Sequence, residues 1–333
     1  MNPEFINSRS LIKFLDLIIN PENRKYYPLF KRIASQKHNI KDSVFEYLLN
    51  SIFKAQNNLQ IEAIMSLLNY PELLNEEIQL TFIVEKYLLI TKKYQFIALD
   101  RLLEKTICLE NFDLYNADNH KIIKAIMETS EDYKAYCLAN SSQYILNYQY
   151  SSTIIEAILN TNNSLICNYI TLLLSIENIK ESDNFFKIFD SLFKCHNEIQ
   201  MKAIITLAKD EKIVNSNNYL KLFNIIEKCN EQQIARVLKI INTFDNIEDE
   251  ILFKYLFNIL SEKNNSKIDI LEEVIVNHEI LGQEKTFEYI ALLKNSEKDD
   301  YKNVLETLRK EFQELNITTE IKSKKRIFKL GRK

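Results

Sequence analysis

The chain has 333 residues, of which 46% are hydrophobic and 27% are charged, and its formal net charge is −3. It contains 2 glycines and 4 prolines, where average usage would give about 23 and about 17. Glycine-turned sheets, dinucleotide sites and P-loops all need glycine at defined positions. The composition therefore excludes these classes and predicts a chain made almost entirely of helices.

The predicted helices come in pairs. First helices are expected to begin near residues 23, 57, 92, 129, 162, 197, 230 and 264. Second helices are expected near residues 42–55, 75–91, 118–127, 150–160, 182–194, 216–228, 248–262 and 283–294. Residues 108–117 predict one longer loop, and a last helix with one apolar face follows residue 298. No proline follows Pro71, so no linker marks a second domain.

A short sequence motif recurs at the starts of the first helices. It pairs an asparagine with a glutamine three residues later, as in Asn57 with Gln60 and Asn197 with Gln200. This is a capping box, in which each of the two side chains accepts from a free backbone N–H of the first turn. The seven starts from 57 to 264 lie 33 to 37 residues apart, which predicts a repeat of about 34 residues.

A second sequence motif recurs at the same interval within the second helices. Lys187, Lys221 and Lys254 follow one another at intervals of 34 and 33 residues, and each has aromatic residues nearby. Two sequence motifs that share one period, with one motif in each helix of a pair, indicate a helical hairpin that is repeated along the chain.

Residues 60–68 and 200–208 resemble the second helix of a HEAT-like repeat. In that family an aliphatic residue, often followed by a basic one, precedes Ala and Leu at helical spacing, as in Met201 and Lys202. The resemblance covers residues 57–297 and implies a HEAT/armadillo-like α-solenoid, a protein-recognition scaffold of which a minority of members bind nucleic acid. The repeat length is nearer to tetratricopeptide repeats, but their Gly and Trp positions are missing here.

The predicted fold is an all-α, right-handed α-solenoid of about eight helical hairpins with a capping helix at its C-terminus. A single domain is expected over residues 1–315, with an irregular first unit at 1–56, regular repeats at 57–297 and the capping helix at 298–315. Residues 316–333 predict a flexible basic tail. Stacked hairpins leave an extended surface for elongated partners.

The tail concentrates positive charge. It holds seven basic side chains, at Lys322, Lys324, Lys325, Arg326, Lys329, Arg332 and Lys333. Removing these from 43 leaves 36 basic against 46 acidic side chains, a net charge of −10. The tail could be a solvated end, dock on a partner protein, or bind nucleic-acid phosphates or an anionic membrane. The acidic remainder is a poor general binder of polyanions.

A tyrosine-rich stretch is the second candidate contact. Its members are Tyr133, Tyr136, Tyr144, Tyr148 and Tyr150. Spacings of three and four residues place these rings on shared helix faces, which is typical of packed core aromatics and equally of a partner groove.

Catalytic chemistry has few candidates. The cysteines are isolated, with no CxxC pair, and predict buried free thiols in a reducing compartment. Their positions are Cys108, Cys137, Cys167, Cys195 and Cys229. Cys195 and His196 are adjacent and point about 100° apart on a helix, so they cannot pair by themselves. The carboxylates of residues 245–250 fit a helix start. No catalytic residue, metal, cofactor or small-molecule substrate is expected.

These observations predict a non-catalytic protein–protein interaction scaffold whose basic tail assists docking. Residues 1–20 lack the pattern of a secretory signal, so a cytoplasmic location is expected. Two alternatives stay open. One is a nucleic-acid-binding HEAT-like protein with a concave basic stripe, and the other is a helical enzyme with a site between helices near Cys195 and His196.

Overall fold

The computed structural model describes residues 12, 15–16, 18–21, 26–36, 41–107, 109, 113–146, 148–215, 220–243, 250–262, 264–297 and 300–330. Within these residues every regular element is helical, which confirms the all-α class. The chain divides into two compact units, 1–175 and 176–333, where the sequence predicted one domain.

The first unit contains ten α-helices among its described residues. They are α1 (Tyr27–Gln36), α2 (Asp42–Lys54), α3 (Asn58–Ser66), α4 (Pro71–Leu74), α5 (Glu77–Tyr87), α6 (Lys93–Thr106), α7 (Ala117–Glu128), α8 (Asp132–Ile145), α9 (Ser151–Asn160) and α10 (Ser164–Leu174). The gap between α6 and α7 corresponds to the longer loop that the sequence predicted.

The second unit contains eleven α-helices in the part of the chain that the structure describes. They are α11 (Glu177–Lys180), α12 (Phe185–Lys194), α13 (Glu198–Ala208), α14 (Glu211–Asn215), α15 (Leu220–Lys228), α16 (Glu231–Thr243), α17 (Glu250–Ser261), α18 (Asn265–Val276), α19 (His278–Leu281), α20 (Gln283–Asn295) and α21 (Tyr301–Leu330).

Within each unit the long helices pack in series. In the first unit α3, α6, α8 and α10 contact one another in that order, and α7 contacts α9. In the second unit α13, α16, α18 and α21 form one series, and α12, α15, α17 and α20 form the other. We call α3, α6, α8, α10, α13, α16 and α18 the A helices, and we call α2, α5, α7, α9, α12, α15, α17 and α20 the B helices.

The predicted phase of the repeat is confirmed by the helix caps. The side chains of Asn57 and Asn197 accept from the backbone N–H of Gln60 and Gln200 at the starts of α3 and α13. Asn230 does the same before α16, and Asn264 caps α18. The other A helices begin at Lys93, Asp132 and Ser164, within three residues of the predicted starts. The start predicted near residue 23 lies outside the described residues.

The capping-box glutamines Gln60, Gln95 and Gln200 have a second role that the sequence did not predict. The Gln200 side-chain oxygen accepts from the His196 N–H at 2.6 Å, while its amide nitrogen donates to the carbonyls of Glu227 and Cys229 at 3.0 and 3.2 Å. Glu227 and Cys229 lie at the end of the B helix of the same pair. The buried glutamine therefore ties the beginning of a helix pair to its end.

Other pairs close in the same way. Gln60 donates to the carbonyls of Leu88 and Ile90 at 2.7 and 3.2 Å, and Gln95 donates to the Met127 carbonyl at 2.8 Å. Lys134 and Lys267 take the place of the glutamine in two further pairs and donate to the carbonyls of Leu159 and Lys294, at 2.8 and 3.4 Å. These four side chains and that of Gln200 are all buried. The link between the two ends of a pair therefore recurs whether the donor is an amide or an ammonium.

Several pairs contain a one-turn helix between the A and the B helix, which the sequence did not predict. These are α4, α11, α14 and α19. Each buries one or two aliphatic side chains, such as Ile179 in α11 and Val214 in α14. A helix of four or five residues is too short to show the periodicity on which helix prediction depends. Gly282 follows α19 with φ +78°, a left-handed conformation that favours glycine.

The final helix is longer than predicted. The sequence placed its end at residue 315, but α21 runs to Leu330. Its Tyr301 and Leu308 side chains are buried, in line with the predicted docked face. Glu311 receives hydrogen bonds from Lys285 at 2.7 Å and from the Tyr289 hydroxyl at 2.8 Å. Lys285 and Tyr289 both lie on α20, so this clasp fastens α21 to the last B helix.

Candidate functional site

The five predicted tyrosines lie on α8 and in the turn that follows it. Tyr133, Tyr136 and Tyr144 occupy one side of α8 at intervals that bring side chains onto the same face. Tyr148 and Tyr150 lie between α8 and α9, and their rings meet edge to face with centroids 5.3 Å apart. All five side chains are half-buried, so each ring both packs on the protein and presents an edge to solvent.

Neighbouring groups fix the orientation of these rings. The Arg101 guanidinium on α6 lies 5.0 Å from the centroid of the Tyr136 ring, a favourable cation–π geometry. The Tyr133 hydroxyl donates to the Thr161 carbonyl at 3.4 Å. Burial, with a contribution from Tyr150, raises the pKa of Tyr148 to about 12.

The adjacent helix α10 extends the surface with exposed apolar side chains. Leu165 and Leu172 are 42% and 50% exposed, and Asn168 between them is also exposed. Six other side chains of this helix are buried, including Ile166, Ile170 and Leu173, so its two exposed leucines lie on the side that the neighbouring helices leave open. We call Tyr133, Tyr136, Asn140, Tyr144, Leu165, Asn168 and Leu172 the tyrosine–leucine surface.

The two helices beneath this surface are joined by small polar contacts. The hydroxyls of Ser141 on α8 and Thr171 on α10 are 2.9 Å apart. The Cys137 thiol donates to the Cys167 carbonyl at 3.1 Å. Small side chains at a helix contact allow close approach of the two backbones, so α8 and α10 form one rigid support.

The seven side chains of the tyrosine–leucine surface are uncharged, and the cations Arg101 and Lys134 lie 5.0 and 5.8 Å from the centroids of its Tyr136 and Tyr133 rings. Between residues 135 and 176 the only charged residue is Glu156, which lies on α9. The cores of protein–protein interfaces are depleted of charge and enriched in aromatic residues. The near absence of charged residues between 135 and 176 is a feature of the sequence that covers Leu165, Asn168 and Leu172. Apolar periodicity does not detect it, so these three residues were not predicted.

Most of the basic tail belongs to the backbone of α21. The α21 backbone includes five of its seven cations, Lys322, Lys324, Lys325, Arg326 and Lys329. Arg332 and Lys333 lie outside the described residues. The predicted role of the tail in docking remains a prediction.

Cys195 and His196 do not form a catalytic pair in this structure. Cys195 ends α12, and its thiol donates to the Ser191 carbonyl at 3.3 Å. Burial, with the nearby Glu227 carboxylate, raises the pKa of this thiol to about 12, whereas an activated thiol needs a lowered pKa. His196 is exposed, and no hydrogen bond joins its ring to the thiol.

The described residues offer neither a metal-binding cluster nor a membrane-spanning helix. Those residues include no group of three or more His, Cys, Asp or Glu side chains that could hold a metal ion. None of their helices combines the length and apolar character needed to cross a membrane. Residues 245–249 of the carboxylate run lie outside the described residues, and Glu250 is the first residue of α17.

Comparisons with protein-family models, with curated proteins and with solved structures gave no match. The resemblance to HEAT/armadillo repeats therefore remains a prediction from the sequence motifs.

Proposed function

We propose that this protein is a non-catalytic, helical-repeat scaffold of the α-solenoid type that binds another protein through its tyrosine–leucine surface. The repeat phase and the series packing of A and B helices inside each unit support the solenoid part of the proposal. The basic tail would add a second, charge-dependent contact.

The uncharged character of the tyrosine–leucine surface carries the proposal. Exposed apolar side chains at Leu165 and Leu172 cost free energy in water, and a partner that covers them recovers it. Tyrosine and asparagine at the same surface add hydrogen bonds with little loss of side-chain entropy. Such a surface suits a folded or helical protein partner better than a charged polymer.

The test is affinity purification of the full chain from its native cells, with quantitative mass spectrometry. The variant Leu165→Asp with Leu172→Asp places two charges on the surface, and we expect it to lower partner recovery about tenfold or more. The matched control is Val276→Asp with Leu292→Asp, because those side chains are 47% and 48% exposed elsewhere. If both variants recover the same proteins as the unmodified chain, the proposal is wrong.

A further inference from the structure

Two exposed cations border the tyrosine–leucine surface on the side of α6. Arg101 and Lys105 are exposed and lie four residues apart on this helix, which is about one turn, or about 6 Å along its axis. The Arg101 guanidinium lies 5.0 Å from the centroid of the Tyr136 ring on α8. This cation therefore lies directly beside the tyrosines.

Contacts between α6 and α8 show where the second cation lies. The Tyr94 hydroxyl donates to the Thr129 carbonyl at 2.8 Å, across a separation of 35 residues. Arg101 and its ring partner are also 35 residues apart, so the two helices run side by side in one direction. The same separation places Lys105 opposite Asn140, which belongs to the tyrosine–leucine surface.

The acids of α6 lie on another flank of the helix. Tyr70 immediately precedes α4, and its hydroxyl donates to the Asp100 carbonyl at 3.0 Å. Burial is the main cause that raises the pKa of Tyr70, and the charges of Asp100 and Glu104 raise it further. These two carboxylates therefore lie on the side of Tyr70. Among the described residues, no acid forms an ion pair with Arg101 or Lys105.

Three rows of side chains thus run side by side on α6, α8 and α10. The first row is cationic, the second is aromatic and the third is aliphatic. They are formed by Arg101 and Lys105, by Tyr133, Tyr136 and Tyr144, and by Leu165 and Leu172. The axes of packed helices lie about 8–10 Å apart, and the tyrosine row is about 16 Å long. The length of the rows matches about three turns of a helix.

From these rows we infer that the partner segment bound here is an amphipathic α-helix with two acidic side chains one turn apart. Such a helix is about 10 Å across with its side chains, so it fits over α8 and reaches the rows on both sides. Its apolar face covers the tyrosines and leucines, while its acids meet Arg101 and Lys105. The inference rests on the function proposed above and adds the chemistry of the partner.

The geometry favours a helix over an extended chain. Side chains three, four and seven residues apart on a helix share one face, so a helix supplies apolar contacts along the whole length of the rows. An extended chain points alternate side chains to opposite faces, so about half of them would not reach the protein. A nucleic acid is disfavoured, because its affinity depends on many phosphate contacts and Arg101 and Lys105 supply only two.

The test selects peptides from a phage-displayed random library on the purified full chain. The displayed peptides are about 14 residues long, which is about 21 Å as a helix. Peptides that also bind the variant Leu165→Asp with Leu172→Asp are removed. The affinity of a retained peptide is then measured by fluorescence anisotropy in about 50 mM salt, where screening is weak.

The cation variant is Arg101→Glu with Lys105→Glu. The matched control is Lys209→Glu with Lys302→Glu, which makes the same change of charge at exposed positions in the second unit. We expect the retained peptides to share apolar residues at helical spacing and two acids three or four residues apart. We expect such a peptide to bind the unmodified chain and the control alike, and the cation variant about tenfold or more weakly.

Three results would overturn the inference. They are the absence of any enriched peptide, the enrichment of peptides with an alternating apolar pattern or with basic residues in place of the acids, and equal weakening by the two double variants. If the cation variant fails to fold by circular dichroism, Arg101→Gln with Lys105→Gln replaces it, and weaker peptide binding is still expected.

Failure of this inference is distinguishable from failure of the proposed function. If no helical acidic peptide is selected while Leu165→Asp with Leu172→Asp still lowers partner recovery from cells, only the inference is wrong. If such a peptide is selected while that variant recovers the same proteins as the unmodified chain, the proposed function is wrong, although the surface binds helices.

Discussion

A single buried glutamine at the start of an A helix satisfies backbone groups at two distant points. The Gln200 side-chain oxygen accepts a hydrogen bond from the His196 N–H, and its amide nitrogen donates to the two carbonyls of Glu227 and Cys229 at the end of α15. Buried backbone groups that lose their partners each cost about 1–3 kcal/mol. The amide is suited to this place because it carries a donor and an acceptor in one neutral group.

The variant Gln200→Glu tests this double role. The carboxylate keeps the acceptor for His196 but turns an oxygen toward the carbonyls of Glu227 and Cys229. We expect the free energy of unfolding in urea to fall by about 2–3 kcal/mol. Gln232→Glu is the control, since Gln232 is exposed on the neighbouring helix α16, and a change within about 0.5 kcal/mol is expected there. Equal effects at both positions would contradict the proposed tie.

The cysteines give a second prediction at this scale. Cys137, Cys167, Cys195 and Cys229 are free and buried, and Cys195 has a pKa of about 12. Because the thiolate is the reactive form, we expect the buried thiols of Cys137 and Cys195, whose pKa values are raised, to be alkylated at pH 8 only after the chain is unfolded in urea. Peptide mapping by mass spectrometry measures this. Modification of Cys195 in the folded chain at the rate of the unfolded chain would contradict the structure.

The final helix depends on the clasp between α20 and α21. The Lys285 hydrogen bond and then the Tyr289 hydroxyl hold the pKa of Glu311 below its usual value of 4.5. A lowered pKa in the folded state means that the carboxylate stabilises the fold above about pH 4.5 and that this contribution is lost as the pH falls through the lowered pKa.

We therefore expect Glu311→Gln to reduce the loss of stability on acidification from about pH 5 to about pH 3. Thermal unfolding of the variant and of the unmodified chain, followed by circular dichroism across that range, measures the difference. Glu306→Gln is the control, because Glu306 is exposed on the same helix and takes no part in the clasp. A variant that loses as much stability as the unmodified chain would show that the clasp does not dock α21.

The helices that the sequence could predict are those whose signal is local. The Asn-capped starts of α3, α13 and α18 were predicted because cap and first turn lie within four residues. The one-turn helices α11 and α14 were not, since their stability comes from burying Ile179 and Val214 against other helices. The extension of α21 to Leu330 was missed because the apolar stripe that marked this helix ends at residue 315.

At the scale of the whole chain, the candidate site also combines residues that a local pattern predicts with residues whose exposure depends on how the helices pack. The tyrosines of α8 were recognised as a cluster from their spacing alone. Leu165 and Leu172 on α10 were not singled out from the sequence, because hydrophobicity along one helix cannot tell which side its neighbours leave open.

The tail gives a prediction for the whole molecule. Removing residues 316–333 takes away seven cations but leaves Tyr301, Leu308 and the Glu311 clasp in place. We expect the free energy of unfolding to change by about 0.5 kcal/mol or less, and the isoelectric point to fall below 6.0. Urea unfolding and isoelectric focusing measure the two quantities. A loss of stability above about 1 kcal/mol would mean that the removed residues hold the fold together.

The tie made by Gln200 has a consequence for how such a gene can change in length. Residues 197–229 form a segment whose two ends are joined by this side chain, and the next segment opens with a capping box of its own, in which the side chains of Asn230 and Gln233 each accept from the backbone N–H of the other. Fusing His196 directly to Asn230 would recreate the capped start across the joint. In-frame duplication or excision of whole segments is therefore tolerated by this chemistry, whereas an insertion of intermediate length leaves an amide facing the wrong carbonyls.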